Sequence, residues 1–199
     1  MKLIIATRNA HKLEEIRAIF NFKSMEVLSV FDFPEIPDVV EDGDTLEANA
    51  KKKAVEIARV TGCWALADDS GLEVDALGGA PGVYSARYAG EPCSSIDNNT
   101  KLLRELSRKA DRSARFRTVI ALSDPEENVR ILDGVCPGVI IEELRGTNGF
   151  GYDPLFVPDG YRKTFAELDS EVKNRISHRA RALKKANEAW FEMLEVFRI

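Results

Sequence analysis

The sequence predicts an α/β fold built on a mixed β-sheet flanked by helices, and three regularities along its 199 residues support this. Short apolar runs alternate with helical periodicity over residues 1–110, as expected for strands joined by helices. The middle third carries a hairpin pattern, and the last third is helical. Mixed sheets of this kind are common in α/β enzymes, and the length suits a single domain over residues 1–199.

The composition argues against a nucleic-acid partner. Lys and Arg total 28 against 33 for Asp and Glu, so the formal net charge is -5. A general nucleic-acid binder carries a basic footprint, which this chain lacks as a whole. Cations that are gathered in one place can still bind phosphate.

Cysteine usage and hydropathy indicate the cytoplasm. Cys63, Cys93 and Cys136 are widely spaced and form no C-x-x-C pair, so we expect reduced thiols. The two histidines are too few for a His-rich zinc site. The N-terminus lacks a signal-peptide pattern, and no apolar run approaches membrane-spanning length. We therefore expect a soluble cytoplasmic protein that has no membrane partner.

The chain opens with a predicted strand at 2–6, a polar turn at 7–12 and a helix. The turn reads Thr7-Arg8-Asn9-Ala10-His11-Lys12. The apolar face of the helix is predicted to consist of Leu13, Ile16, Ile19 and Phe20. Free amides and the helix dipole make such a turn a candidate phosphate site, although many plain β–loop–α junctions look alike. No Walker A sequence is present.

A second strand is predicted at 25–30, and an acidic loop follows it at 31–43. Its carboxylates include Glu35, Glu41 and Asp42. Solvated loop charge is the ordinary interpretation. A magnesium ligand is the alternative, because Mg²⁺ takes one or two carboxylates together with water and substrate phosphates.

The next helix is predicted from Leu46 to about Ala58, after a capping box at 44–47. Its buried face is expected to consist of Leu46, Ala50, Ala54 and Ile57. Lys51–Lys53 span nearly a full turn, so at most one or two of these lysines can face any given site.

The most informative stretch is LADDSGLEVDALGGAPGVYSARYAG, from Leu66 to Gly90. A buried strand is predicted to end before Asp68 and Asp69, and Leu72–Val74 reads as a separate strand. Carboxylates at a strand end beside glycine turns are typical of α/β active sites, although a polar turn with capping aspartates is the alternative. Because adjacent side chains on a strand point to opposite faces, we expect the two aspartates to have different roles.

The remaining elements complete the sheet and its helices. A helix is predicted at 95–110, with Leu103, Leu106 and Ala110 in register. Strands are predicted at 115–122, 129–135, 139–144 and 155–157, with a hairpin turn at 123–128. The helical final third is predicted to break near Ser177. Its second piece has a core face of Leu183, Ala186, Trp190, Met193 and Phe197.

Two further stretches are candidates for ligand contact. The glycine-rich turn at 146–154 contains Phe150-Gly151-Tyr152-Asp153, and its aromatic faces would suit a flat nucleobase, with a structural turn as the alternative. Cations gather at the helix break. They are Lys173, Arg175, His178 and Arg179. Since the helix dipole disfavours cations at a helix start, this cluster indicates an anion between them.

These motifs together resemble the inosine triphosphate pyrophosphatase family over nearly the whole chain. The matching segments, in chain order, are [ST]-x-N-x-x-K at Thr7–Lys12, E-x-N-A at Glu47–Ala50 with Lys53–Ala54, DDSGLEVDALGGAPGVYSARY from Asp68, G-F-G-Y-D-P at Gly149–Pro154, and S-H-R at Ser177–Arg179. Any one of them is weak evidence, whereas the ordered set is specific.

The resemblance implies a two-lobed α/β fold on a long twisted mixed sheet, with the active site in the cleft between the lobes. It implies hydrolysis of triphosphates with deaminated purines (ITP, dITP, XTP) to the monophosphate and pyrophosphate. It also implies a Mg²⁺ requirement and a homodimer. A reading as one of the related septum-site nucleotide pyrophosphatases fits less well, because their Ser-Pro-Arg-Arg character is missing. A non-catalytic nucleotide sensor is an alternative of another class.

The resemblance also assigns roles to residues of this chain. Asp69 would be the general base and a metal ligand, with Glu41 as the second ligand and Glu35 as its competitor. Asp68 would play a supporting part. Substrate contacts would come from Thr7, Arg8, Asn9, Ala10, His11, Lys12, Ser70, Phe150, Gly151, Tyr152, Asp153, Lys173, His178 and Arg179. Arg8 stands where glycine is frequent in the family, and His11 is bulky, so the phosphate geometry is expected to differ in detail.

Overall fold

The computed structural model describes residues 1–20, 25–92 and 94–196, with side chains to residue 192. Within these residues, six strands form one sheet in the order β2-β1-β3-β4-β5-β6. The strands are β1 (Lys2–Ile5), β2 (Glu26–Ser29), β3 (Trp64–Val74), β4 (Ser113–Ser123), β5 (Val129–Ile140) and β6 (Phe156–Pro158). The helices are α1 (Ala10–Ile19), α2 (Leu46–Thr61), α3 (Ser95–Leu106), α4 (Ser170–Ile176) and α5 (His178–Val196).

The sheet is mixed, which confirms the predicted α/β class. Strand β1 pairs in parallel with β2 and with β3, and β5 pairs antiparallel with β6. The break between α4 and α5 falls at Ser177, as predicted. In the described part of the chain, no helix combines the length and the apolar character needed to cross a membrane.

The chain divides into two compact units. The first unit consists of Met1–Asp69, Thr118–Gly134 and Arg179–Ile199, and the second consists of Ser70–Arg117 and Val135–His178. Strands β3, β4 and β5 each contribute residues to both units.

The core of the first unit packs α1 and α5 against β1 and the start of β3. The predicted face of α1 is confirmed, because Leu13 and Ile16 are buried. On α5, the rings of Trp190 and Trp64 meet edge to face with centroids 4.9 Å apart. Leu183 and Ala186 are buried beside them, whereas the side chains of Met193 and Phe197 lie outside the described residues.

The core of the second unit is built around three phenylalanine rings. The Phe116 ring lies 4.8 Å from Phe156 and 5.9 Å from Phe165, centroid to centroid. Aromatic pairs in this range contribute packing energy beyond their buried area.

Strand β3 differs from the sequence prediction because it does not stop before the aspartates. It runs unbroken from Trp64 to Val74 and carries both carboxylates in its middle. Its parallel neighbour β1 ends at Ile5, and the last bond between them runs from the Ala6 amide to the Leu66 carbonyl at 2.7 Å. The aspartates therefore lie just beyond the carboxyl end of the neighbouring strand β1, where ligands bind in open α/β sheets. They do not lie at the end of β3 itself, which is where the sequence predicts them.

Strand β5 is one strand where two were predicted, at 129–135 and 139–144. It passes through Pro137 and Gly138, which lie between the two predicted strands. The Pro137 carbonyl accepts a hydrogen bond from the Asp159 amide at 3.0 Å, so the strand continues to pair without a proline donor. A Cβ on Gly138 would lie 2.3 Å from the Val157 carbonyl oxygen, so glycine is what allows β6 to approach.

Helix α3 is shorter than predicted and its register is shifted. It ends at Leu106, and it buries Leu102 and Leu106, whereas Ala110 is exposed outside the helix. Arg112 Nη1 donates to the Leu106 carbonyl at 3.3 Å and so satisfies a terminal carbonyl of the helix. The chain must turn there because β4 begins at Ser113.

Candidate active site

Asp68 lies in a buried ion-pair network of the first unit. Its Oδ2 is 3.2 Å from Lys12 Nζ and 3.1 Å from Arg179 Nη2. Arg179 also pairs with Glu15 through Nη1. Asp68 and Arg179 are at most 1 % exposed, so these charges are held by one another and not by water.

The pKa of Asp68 lies well below its usual range. Burial raises the pKa, but the positive charges of Lys12, Arg179 and Lys53 and the hydrogen bond from Arg179 outweigh burial. Asp68 is therefore ionised across the physiological range. A charged carboxylate whose Oδ2 is held by two cations is suited to keeping those cations in place and poorly suited to accepting a proton.

Asp69 has different partners, as the alternation along β3 predicts. Its Oδ2 accepts a hydrogen bond from Asn49 Nδ2 at 3.1 Å, and its Oδ1 lies 3.7 Å from Lys53 Nζ. Lys53 Nζ also contacts Glu41 Oε1 at 2.6 Å and donates to the Asp68 carbonyl at 2.6 Å. One ammonium group thus joins the strand to the acidic loop.

The pKa of Asp69 is shifted upward, opposite to that of its neighbour. Burial is the main cause, the negative charge of Glu41 adds to it, and Lys53, Lys12 and the Asn49 hydrogen bond offset it only in part. A buried carboxylate with a raised pKa is more basic than an ordinary one, which is what a general base at neutral pH needs.

The donor set around Lys53 fits a magnesium ion. Glu41 and Asp69 present two carboxylates to one cation, and Mg²⁺ in proteins usually takes one or two carboxylates plus water and phosphates. No group of three or more His, Cys, Asp or Glu side chains converges on a metal-sized site anywhere in the described residues. Of the competing loop acids, Glu41 lies beside Lys53 whereas Glu35 is exposed to solvent.

The turn at 7–12, which the sequence predicts to bind phosphate, leads into the start of α1 in the same unit. Asn9 is the N-cap, and its Oδ1 accepts a hydrogen bond from the Lys12 amide at 3.1 Å. Thr7 Oγ1 accepts a hydrogen bond from the Asn9 amide at 3.2 Å. Ala10 and His11, in the first turn, are exposed. A capped helix start of this kind is a usual place for an anion to bind.

Arg8 differs from its neighbours because its guanidinium is already engaged. It donates to the Ile36 carbonyl and pairs with Asp38, both in the acidic loop. The Arg8 side chain is 33 % exposed and that of Asp38 78 % exposed. Arg8 thus ties the phosphate turn to the acidic loop, a contact that the sequence did not predict.

The glycine-rich turn of the second unit is organised by Asp153. Its Oδ2 accepts the Phe150 amide at 2.9 Å and lies 2.6 Å from Lys173 Nζ. That ammonium also lies 5.0 Å from the centre of the Phe150 ring and 5.6 Å from that of Phe165. Lys173 and Asp153 are both buried, so the turn is a rigid structure in which only Phe150 keeps a partly exposed ring.

Tyr152 does not present its ring as the sequence suggested. It is 4 % exposed, and its hydroxyl donates to the Ser85 carbonyl at 2.8 Å. The next carbonyl back, that of Gly151, accepts Asn99 Nδ2 at 3.0 Å. Tyr152 therefore anchors the turn in the core, because the tyrosine at this position has a buried acceptor for its hydroxyl.

His178 is stacked in the same unit. Its ring lies 4.6 Å from that of Phe116 at an angle of 11° and is 4 % exposed. Ser70, the first residue of this unit, is half-buried on β3. Stacking fixes the plane of the imidazole and thereby the directions of its two nitrogen atoms.

Two residues of the first-unit cluster were missed as functional candidates. Asn49 and Lys53 are both buried on α2, 1 % and 8 % exposed. They are four residues apart and share the stripe of Ala50 and Ala54, which the periodicity predicted to be buried. A polar side chain within an apolar helical stripe needs a buried partner, and this signal was available in the sequence.

Comparison with known proteins gave consistent matches. The model of the Ham1 family matches residues 3–189. A Desulforamulus reducens protein named dITP/XTP pyrophosphatase is 54 % identical over 190 residues, covering 94 % of each chain. A Geobacter sulfurreducens protein of the same name is 53 % identical, covering 92 % of each chain.

Solved structures agree with these sequence matches. The Ham1 protein of Staphylococcus aureus superposes with a TM-score of 0.87 at 40 % identity, covering 96 % of this chain and 98 % of its own. A HAM1 protein from Coxiella burnetii gives 0.89 at 40 % identity, covering 96 % and 99 %. At this identity the likeness extends to the fold in detail.

Proposed function

This chain belongs to the Ham1 family, and we propose that it is a pyrophosphohydrolase that clears purine nucleoside triphosphates with deaminated bases (ITP, dITP and XTP) from the nucleotide pool. The products would be the nucleoside monophosphate and pyrophosphate. The printed names of its relatives support the substrate class. The observation that carries the chemistry is the meeting of the buried Asp69 carboxylate, the Glu41 carboxylate and the Lys53 ammonium, with Asn49 holding Asp69.

In the proposed reaction, water attacks the α-phosphorus of the triphosphate. The bond from the water oxygen to phosphorus forms, the bond from phosphorus to the bridging oxygen breaks, and pyrophosphate leaves. Asp69 would accept the proton of the attacking water, since its buried carboxylate is held in place by Asn49 beside Lys53. Lys12 and the amides at the start of α1 hold phosphate oxygens, and Lys53 adds positive charge beside Asp69.

Glu41 and Asp69 are the residues that would hold Mg²⁺. The ion would neutralise charge on the phosphate oxygens as a Lewis acid. Arg179 keeps Asp68 paired and adds positive charge to the same unit. Thr7, Asn9, Ala10 and His11 complete the phosphate turn in this proposal.

Base selection is proposed to rest on residues of the second unit. The partly exposed Phe150 ring offers a stacking surface. Ser70, Lys173, His178 and the backbone near Gly151 and Asp153 supply polar groups for a 6-oxo purine edge. A 6-amino purine would leave such groups unpaired, which discriminates strongly when they are buried.

The decisive experiment is a pyrophosphate-release screen over ATP, GTP, ITP, XTP and dITP, with and without Mg²⁺. The proposal expects Mg²⁺-dependent release with kcat/KM for ITP, dITP and XTP far above that for ATP. Equal kcat/KM for ITP and ATP would refute the selectivity. Binding of ITP without pyrophosphate release would instead support a sensor.

We also propose a cytoplasmic homodimer that requires neither nucleic acid nor membrane. Sedimentation equilibrium at micromolar concentration should give twice the chain mass of 22.2 kDa. A monomer mass across that range would reject the dimer.

A further inference from the structure

Asn49 joins two segments that are separate in the sequence. Its Nδ2 donates to Asp69 Oδ2 at 3.1 Å, and its Oδ1 accepts the Gly43 amide at 2.8 Å. The residue is 1 % exposed, and each end of its amide meets one partner. Asparagine suits this place because it carries a donor and an acceptor on one planar group.

The approach of the acidic loop to Asn49 depends on glycine. A Cβ on Gly43 would lie 2.7 Å from Asn49 Oδ1 and 2.8 Å from the Ala48 Cβ, and both distances are shorter than a Cβ atom makes in real proteins. The loop therefore reaches the helix only because this position has no side chain. The contact is a close-packed junction rather than an incidental hydrogen bond.

The junction restricts where Glu41 can be. Glu41 is two residues before Gly43, and two residues of chain span at most about 7 Å. The Glu41 side chain has a second anchor. Lys53 lies one turn beyond Asn49 on the same face of α2, and its Nζ contacts Glu41 Oε1 at 2.6 Å. Glu41 is thus held between a backbone anchor and a side-chain anchor.

We propose that Asn49 is a positioning residue that sets Glu41 and Asp69 as a pair. It does so from one side chain, by fixing the Asp69 carboxylate directly and the Glu41 loop through Gly43. It does not itself touch substrate or metal. The inference rests on the proposed function in that Glu41 and Asp69 are taken as the metal ligands.

Mn²⁺ binding to the nucleotide-free protein tests this without relying on turnover. The variants are Asn49→Ala, which removes both hydrogen bonds, and Gly43→Ala, which pushes the loop away while leaving Asn49 in place. Residues that orient metal ligands typically contribute 10–100-fold to metal affinity or activity. Each variant should therefore bind Mn²⁺ about 10-fold more weakly or worse, by calorimetric titration. Metal-dependent kcat should fall similarly, with little change in KM for the nucleotide.

Asn98→Ala is the matched control. Asn98 is also a buried helical asparagine, and its amide donates to the Ala86 carbonyl at 2.9 Å and accepts the Ala89 amide at 2.7 Å. Its partners belong to the second unit, so its loss should lower the urea midpoint without changing Mn²⁺ affinity. Should Asn49→Ala fail to fold, Gly43→Ala carries the test.

The outcomes are separable from those of the proposed function. Mn²⁺ affinity within twofold of wild type in the folded variants would overturn the positioning role, whatever the enzyme hydrolyses. Equal weakening in Asn98→Ala would also overturn it, because the effect would then be general loss of stability. A wild-type protein that binds Mn²⁺ but releases no pyrophosphate would refute the proposed function alone.

Discussion

Replacing Asp68 by asparagine should lower stability and leave turnover intact, whereas replacing Asp69 by asparagine should leave stability nearly unchanged and abolish turnover. Asp68→Asn removes a fully buried charge from Lys12 and Arg179, whereas Asp69→Asn removes a carboxylate whose ionised form is disfavoured in the fold. The two changes are chemically identical and one residue apart. Any difference between them therefore reports the environment of each carboxylate.

The magnitudes follow from the partners. Removing one member of a buried ion pair costs about 3–5 kcal/mol, because the remaining charge stays buried. Arg179 keeps Glu15 as a partner, so the cost of Asp68→Asn should lie near 3 kcal/mol. Asp69→Asn keeps an acceptor for Asn49 Nδ2 and removes an unfavourable charge, so stability should change by less than about 1 kcal/mol.

Urea unfolding followed by circular dichroism at pH 7, with pyrophosphate release in parallel, measures both effects. Asp68→Asn should lower the urea midpoint while its folded fraction retains turnover. Asp69→Asn should unfold like wild type and still bind ITP, but it should lose turnover.

The pH dependence of the Asp68 effect has a defined sign. The pKa of Asp68 is lowered on folding, so its stabilisation is present above the unfolded pKa of about 3.9 and is lost as the pH falls through the folded value. The stability gap between wild type and Asp68→Asn should therefore shrink below about pH 4. A gap of less than 1 kcal/mol at pH 7, or full turnover in Asp69→Asn, would refute the division of roles.

Three further changes test separate parts of the structure. Lys53→Met leaves Glu41 and Asp69 without their shared ammonium, so added Mg²⁺ should raise the melting temperature of this variant more than that of wild type. Equal shifts of the melting temperature would argue against a metal site at these two carboxylates. Tyr152→Phe removes the hydrogen bond to the Ser85 carbonyl, so it should lower the free energy of unfolding by about 1 kcal/mol and preserve kcat/KM for ITP. A large loss of kcat/KM would instead indicate that Tyr152 contacts the nucleotide. Trp190→Ala removes a large, fully buried side chain from the core of the first unit and should lower the free energy of unfolding by about 3–5 kcal/mol. A loss below about 1 kcal/mol would contradict the packing described.

Much of the fold could be predicted because it follows local rules. The apolar period of α1 and the break at Ser177 are encoded by residues a few positions apart. Helix α2 also begins at Leu46 as predicted, but Thr45 caps it by accepting from the Ala48 amide, one residue later than the predicted capping box at 44–47. The errors occurred where a distant partner overrode local preference. Pro137 and Gly138 lie inside β5 because the Asp159 amide donates to the Pro137 carbonyl, which needs no proline N–H, and because only glycine leaves room for the Val157 carbonyl of β6.

The candidate site divides in the same way. The motifs predict roles for Asp69, Glu41 and the turn at 7–12, and the alternation of a strand predicted that Asp68 and Asp69 would differ. The family resemblance named Asp69 as the base, but the strand pattern alone does not say which of the two aspartates is the more basic. That depends on Arg179, which is 111 residues from Asp68, and on burial against Glu41 and Lys53.

The sequence by itself determined the strand and helix periods, the capping residues and the set of chemical groups, because each depends on side chains within a few residues of one another. Only the tertiary structure decided the protonation behaviour of the two aspartates, the burial of Tyr152 and the linking of Gly43 to Asp69 through Asn49. Electrostatic energy and steric fit depend on distances through space, and those distances join residues far apart along the chain.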